Sequence, residues 1–201
     1  MNIFKLQQDK PTRLGHKKAK KGKQGKMEAE GQLNLFRRPS PKIISMPQKL
    51  GFFDQALQYD ENGNENAGKV YLEAIENNDR KADALCNLGI IEAKYGNDVK
   101  AIDCFSKALI EEARHFEAHF NLGNIYFDNE NYPLAQLHYQ TALEIDPDDA
   151  NTYFNLGLVQ ALQEDIKASI ESLSTYAKMV NKDEAVKANE LISQLSMTGK
   201  S

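Results

Sequence analysis

The chain has 201 residues, of which 41% are hydrophobic and 27% charged, the proportions of a soluble globular protein. No run approaches 18 consecutive apolar residues, and the opening MNIFKLQQDK lacks the apolar stretch of an export signal, so no membrane segment and a cytoplasmic location are expected. The net charge of −4 conceals a split: residues 1–48 hold 12 Lys/Arg and 3 Asp/Glu, while residues 49–201 hold 13 and 26, the pattern of a basic tail on an acidic domain.

Residues 1–48 come first. The run HKKAKKGKQGK, few apolar residues and high charge predict a disordered basic tail. Its cations can displace counterions from nucleic acid without reading sequence. The acidic domain opposes that contact, so it is expected to be weak and salt-sensitive. Within the tail, Gln32-Leu33-Asn34-Leu35-Phe36 sets three large apolar side chains, Leu33, Leu35 and Phe36, among polar neighbours. This short linear motif, residues 32–36, resembles the bacterial sliding-clamp-binding motif. The resemblance implies that Leu35 and Phe36 enter an apolar pocket on the clamp while Gln32 hydrogen-bonds at its rim. The same residues have two other uses open to them: docking back near Phe52 and Phe53, or presentation to another partner.

From residue 49 the chain repeats. The triplet Asn-Leu-Gly occurs at residues 87–89, 121–123 and 155–157, at a period of 34. Small residues (Ala101, Ala135, Ser169) and large ones (Phe105, Tyr139, Leu173) follow in register. Small residues let two helices approach and large ones fill the gap between them, so each copy reads as a helical hairpin. Gly96-Asn97-Asp98 and Glu130-Asn131-Tyr132-Pro133 break the helices, and Asp98, Asp149 and Asp165 are expected N-caps. A degenerate copy runs through Phe52, Ala56, Tyr59, Gly63, Ala67, Tyr71 and Ala74. The copy at 116–149, with Leu122, Gly123, Tyr126, Ala135, Tyr139, Ala142 and Pro147, resembles the tetratricopeptide repeat (TPR) most fully. The resemblance implies an all-α solenoid over 49–183, with hairpins at 49–81, 82–115, 116–149 and 150–183. Residues 184–198 read as a capping helix with Ala185, Ala188, Leu191, Ile192 and Leu195 on one face.

The resemblance also implies a concave groove lined by the first helix of each hairpin, and a non-enzymatic adaptor that takes a protein or peptide there. The implied lining includes Asn87, Ile90, Phe120, Asn121, Asn124, Phe127, Phe154, Asn155 and Leu158. Asn side chains donate and accept, which suits a peptide backbone, and Phe120, Phe127 and Phe154 offer apolar anchors. Lys94 is the one basic residue among the implied groove positions, which disfavours gripping a carboxylate. The alternative is a replication or repair accessory, tethered to the clamp by Gln32–Phe36 and to DNA by the tail.

Catalytic and metal signals are weak. His115 and His119 have a metal-like spacing, but their places in the repeat assign them to packing. Cys86 and Cys104 read as free thiols. No glycine-rich phosphate loop, nucleophile elbow or zinc-protease motif occurs, so no enzyme, cofactor or metal is expected.

Overall fold

A computed structural model describes residues 50–198, which form nine α-helices and, among the described residues, no strand. Four hairpins follow one another: α1 (Phe52–Glu61) with α2 (Ala67–Glu76), α3 (Lys81–Lys94) with α4 (Asp98–Glu111), α5 (Phe116–Asp128) with α6 (Tyr132–Ile145), and α7 (Ala150–Leu162) with α8 (Ile166–Met179). The last helix, α9 (Lys182–Thr198), packs on α8. Each helix touches the next in sequence, and α3 also touches α5, so contacts are local and the architecture is an α-solenoid.

Local sequence explains the breaks. In every hairpin the turn contains one residue with a left-handed backbone: Gly63, Gly96, Glu130 and Glu164. The first two are glycines, which adopt that conformation freely, whereas the two glutamates adopt it under strain. Asp149 and Asp165 cap α7 and α8, accepting from the Thr152 and Ala168 backbone amides at 2.8 and 3.1 Å. Asp98 does not cap α4 as expected. It is the first helical residue, preceded by Asn97, and accepts instead from Asn129 Nδ2 at 3.3 Å, bridging to the next repeat. His115 takes the cap position of α5, where its Nδ1 accepts from the Ala118 amide.

The core is built from one large residue per second helix. Phe105, Tyr139 and Leu173 are fully buried, and each lies against the glycine sixteen residues before it. A Cβ at Gly89 would stand 2.8 Å from the Phe105 ring, one at Gly123 2.5 Å from the Tyr139 ring, and one at Gly157 2.7 Å from Leu173 Cγ. In the first hairpin the buried pair is Ala56 and Tyr71, and its helices have ten residues each rather than thirteen or fourteen. On α9, Ala188 and Leu195 are buried and Leu191 and Ile192 half-buried, so the face expected to cap the solenoid does so.

Candidate binding surface

The first helices α3, α5 and α7 carry all nine predicted groove residues, and the hairpin geometry decides which reach solvent. Ile90, Phe120, Phe127 and Leu158 are buried in the core. Phe120 sits 6.0 Å from the Phe116 and Tyr139 rings, and Phe127 packs edge-on against Tyr132. Phe154 is half-buried, 5.0 Å from the Tyr176 ring.

The four asparagines are buried, and each takes part in a side-chain hydrogen bond. Asn87 Nδ2 donates to the hydroxyl of Tyr71, sixteen residues earlier, at 3.1 Å. Tyr139 donates to Asn124 Oδ1 at 2.7 Å, and Asn155, sixteen residues after that tyrosine, donates to the same oxygen at 3.2 Å. The second hairpin has Phe105 in the tyrosine's place, so Asn121 finds no hydroxyl and donates to its own helix at the Glu117 carbonyl, 2.8 Å away. Tyr139 thus lies against Gly123 and bonds Asn124, both of its own hairpin, and Asn124 Oδ1 carries the link on to Asn155 of the next. Burial raises its pKa, so the hydroxyl remains a donor. What faces solvent along the first helices is the remainder: Lys94 and Asp128 are exposed, and Asp83, Ala93, Glu117, Asn151, Phe154 and Leu162 are partly so.

One edge of this surface is organised by charge, and repeat reasoning on single positions missed it. The starts of α1, α3 and α5 lie side by side. The Phe53 amide donates to Asp79 at 3.0 Å, and the Arg80 guanidinium lies 3.9 Å from the Phe53 ring centroid and 2.7 Å from Asp83. Asp83 in turn stands 3.3 Å from His115 Nε2, and His115 Nδ1 is 3.5 Å from Glu117. Here the edge opens into a cavity of about 310 Å³ between Asp83, Glu112, Glu117 and Asp146, with Arg114, His115, Phe116 and Ile145 completing its wall. Burial alone would lower the His115 pKa, but the surrounding carboxylates Asp83, Glu117 and Glu112 outweigh it and raise it. The signal was present in the register: Asp83 and Glu117 are 34 residues apart, as are Glu112 and Asp146.

His119 does not pair with His115. Its Nδ1 meets His138 Nδ1 at 3.0 Å across the α5–α6 hairpin, while its Nε2 faces the Ala113 carbonyl at 3.3 Å. His138 also stacks on Tyr126. Among the described residues no three His, Cys, Asp or Glu side chains group as metal ligands. Cys86 and Cys104 are free and buried, and burial pushes both thiols up in pKa. No described helix is long and apolar enough to cross a membrane. The linear motif Gln32, Leu33, Leu35 and Phe36 lies outside the described residues.

Comparison with known proteins agrees with this architecture. Residues 123–164 match the family model for the TPR repeat. A 100-residue stretch is 26% identical to human Tetratricopeptide repeat protein 6, covering 50% of this chain and 19% of that protein, so the chain spans less than a fifth of that relative. MamA of Desulfovibrio magneticus RS-1, from residue 41 to its end, superposes with a TM-score of 0.64 at 21% identity over 74% of this chain and 84% of that one. The first TPR of Spaghetti (RPAP3), bound to an HSP90 peptide, superposes at 0.55 with 19% identity over 61% and 95%. At such identities the likeness shows the fold, a TPR-like solenoid.

Proposed function

We propose that this chain is a non-enzymatic adaptor that binds a protein or peptide along the first helices of its hairpins. Supporting this is the division of labour on α3, α5 and α7. Their asparagines and most of their large apolar residues are buried in the packing, and a solvent-facing row remains, running from Asp83 and Glu117 at one edge to Lys94 and Asp128 at the other with Phe154 between repeats. Three of its four charged residues are acidic, so it favours a basic partner segment with an apolar side chain for the Phe154 and Leu162 region. TPR proteins in general mediate protein–protein contacts, and the Spaghetti domain is bound to a peptide.

The test is capture of partners by the full chain against a Glu117→Lys/Asp128→Lys variant of equal melting temperature. Loss of the same specific protein from the variant supports the reading; identical captured proteins refute it. The second reading, a clamp-tethered replication or repair accessory, is carried by the pentapeptide Gln32–Phe36. Purified clamp that binds the wild type and the Leu35→Ala/Phe36→Ala variant alike would remove it.

A further inference from the structure

We infer that a small cavity between α3, α4 and α5 is a binding site for one water molecule, which takes the place of the hydroxyl that a tyrosine would bring at Phe105. This goes beyond the adaptor reading, because the site joins the second and third hairpins whether or not a partner binds.

The repeat register shows where such a hydroxyl would lie. In the first hairpin the Tyr71 hydroxyl bonds Asn87, sixteen residues on, at 3.1 Å. In the third, the Tyr139 hydroxyl bonds Asn124, whose Oδ1 also accepts from Asn155, again sixteen residues after the tyrosine. The second hairpin has Phe105 and Asn121 at the corresponding places. A ring without a hydroxyl leaves space there, and a cavity of about 10 Å³ lies against both residues. Ile90, Ala93, Asn124 and Ile125 complete its wall.

Size and chemistry select the ligand. A space of about 10 Å³ is close to the least that admits a water, and it excludes anything larger. Two amides of the wall have hydrogen-bonding capacity to spare, one of each kind. Asn124 is 2% exposed; its Oδ1 is taken by Tyr139 and Asn155, while its buried Nδ2 has no acceptor among the described residues. Asn121 spends its Nδ2 on the Glu117 carbonyl, and its Oδ1 receives no hydrogen bond from a described residue. A water accepts from the first amide and donates to the second. Burying an amide N–H without an acceptor is costly, and that cost holds the water in place. Ile90, Phe105 and Ile125 are buried and keep the rest of the wall apolar, whereas Ala93 is only partly buried and marks the side from which water enters. The Tyr139 site differs, because its ring carries the hydroxyl and is fully buried.

The test uses the full-length chain with labelled isoleucine and valine methyl groups, followed by water–methyl NOE and ROE spectra. Methyl protons do not exchange with water, so a cross-peak of opposite sign in the two spectra reports a bound water. The Ile90 and Ile125 methyls should show such cross-peaks, and those of the fully buried Val159 should not. In a Phe105→Tyr chain the new hydroxyl stands where the water was, so the cross-peaks disappear while the melting temperature is no lower than that of the wild type. A wild type without the Ile90 and Ile125 cross-peaks, cross-peaks that survive in the Phe105→Tyr chain, or a Phe105→Tyr chain that melts lower would each overturn the proposal. None of these results depends on a partner, so capture by the Glu117→Lys/Asp128→Lys variant bears on the adaptor reading alone.

Discussion

Gly123→Ala is expected to destabilise the chain although it adds a better helix former in mid-helix. Replacing Gly by Ala inside a helix ordinarily stabilises by about 1 kcal/mol. Here the new Cβ would stand 2.5, 2.7 and 3.0 Å from three atoms of the Tyr139 ring. The ring is fully buried, and its hydroxyl is tied to Asn124 at 2.7 Å, so it cannot swing aside without breaking that bond. Overpacking of this kind costs about 1–3 kcal/mol, and the pinned ring puts the site at the upper end. The net loss is about 2 kcal/mol, or a fall of about 4–8 °C in melting temperature for a folded region of this size. Gly68→Ala is the internal control: its Cβ would meet only Leu88 Cδ1 at an ordinary 3.7 Å, so it should stabilise by up to about 1 kcal/mol. Circular dichroism melts and urea titrations measure both. A Gly123→Ala chain as stable as the wild type would refute the view that Tyr139 is wedged tightly against α5. In a Gly123→Ala/Tyr139→Ala chain the clash is gone, so the double variant should be more stable than the sum of its parts.

Three other outcomes follow from the geometry. Glu130→Gly should raise stability by about 1 kcal/mol, because Glu130 holds a left-handed backbone (φ 59°) where Gly96 stands in the preceding hairpin; a melting temperature that does not rise would count against strain at that turn. Tyr139→Phe should cost about 1–2 kcal/mol in chemical denaturation with helix content unchanged, since Asn124 loses its shorter donor in a site closed to water while Phe105 shows that a phenyl ring fits the position. The third concerns acid. Burial, and to a lesser degree His119, lowers the His138 pKa from 6.5 to about 4. The unfolded chain therefore takes up this proton first, so the contribution is fully present above about pH 6.5 and is lost as pH falls from there toward about 4. The melting temperature of a His138→Gln chain should fall less over that window than that of the wild type, and parallel curves would contradict the assignment.

How much was legible in the sequence varied with the kind of contact. The Asn-Leu-Gly period and the small–large alternation specified the hairpins, because close helix approach leaves its mark at single positions such as Gly123 and Tyr139. The apolar face of α9 was legible for the same reason: amphipathic spacing is local. The role of the asparagines was only half legible. Asn87 donates to the tyrosine sixteen residues before it, Asn155 donates to Asn124, the acceptor of the tyrosine sixteen residues before it, and Asn121, with Phe105 at that place, turns to its own helix. That distinction requires knowing that a second-helix ring meets the next first helix. The His119–His138 contact was not legible, since a separation of nineteen residues belongs to no helical or repeat period and arises from how α5 and α6 pair. The rim cavity lay in between, visible as two carboxylate pairs in register but not as a cavity until His115 was seen to cap α5 and face Asp83. The capping role expected of Asp98 went astray because the turn before α4 closes one residue earlier than its charge pattern suggests.

The most direct measurement of partner binding is site-specific photo-crosslinking in cells of the source organism. A benzophenone side chain would be placed in separate full-length chains at Asp128 and Phe154, on the first helices, and at Ile110 and Leu137, exposed on the second helices. Binding along the first helices predicts a common adduct at 128 and 154 that is absent at 110 and 137. Adducts confined to 110 and 137 would place the partner on the opposite face and contradict the proposed binding surface.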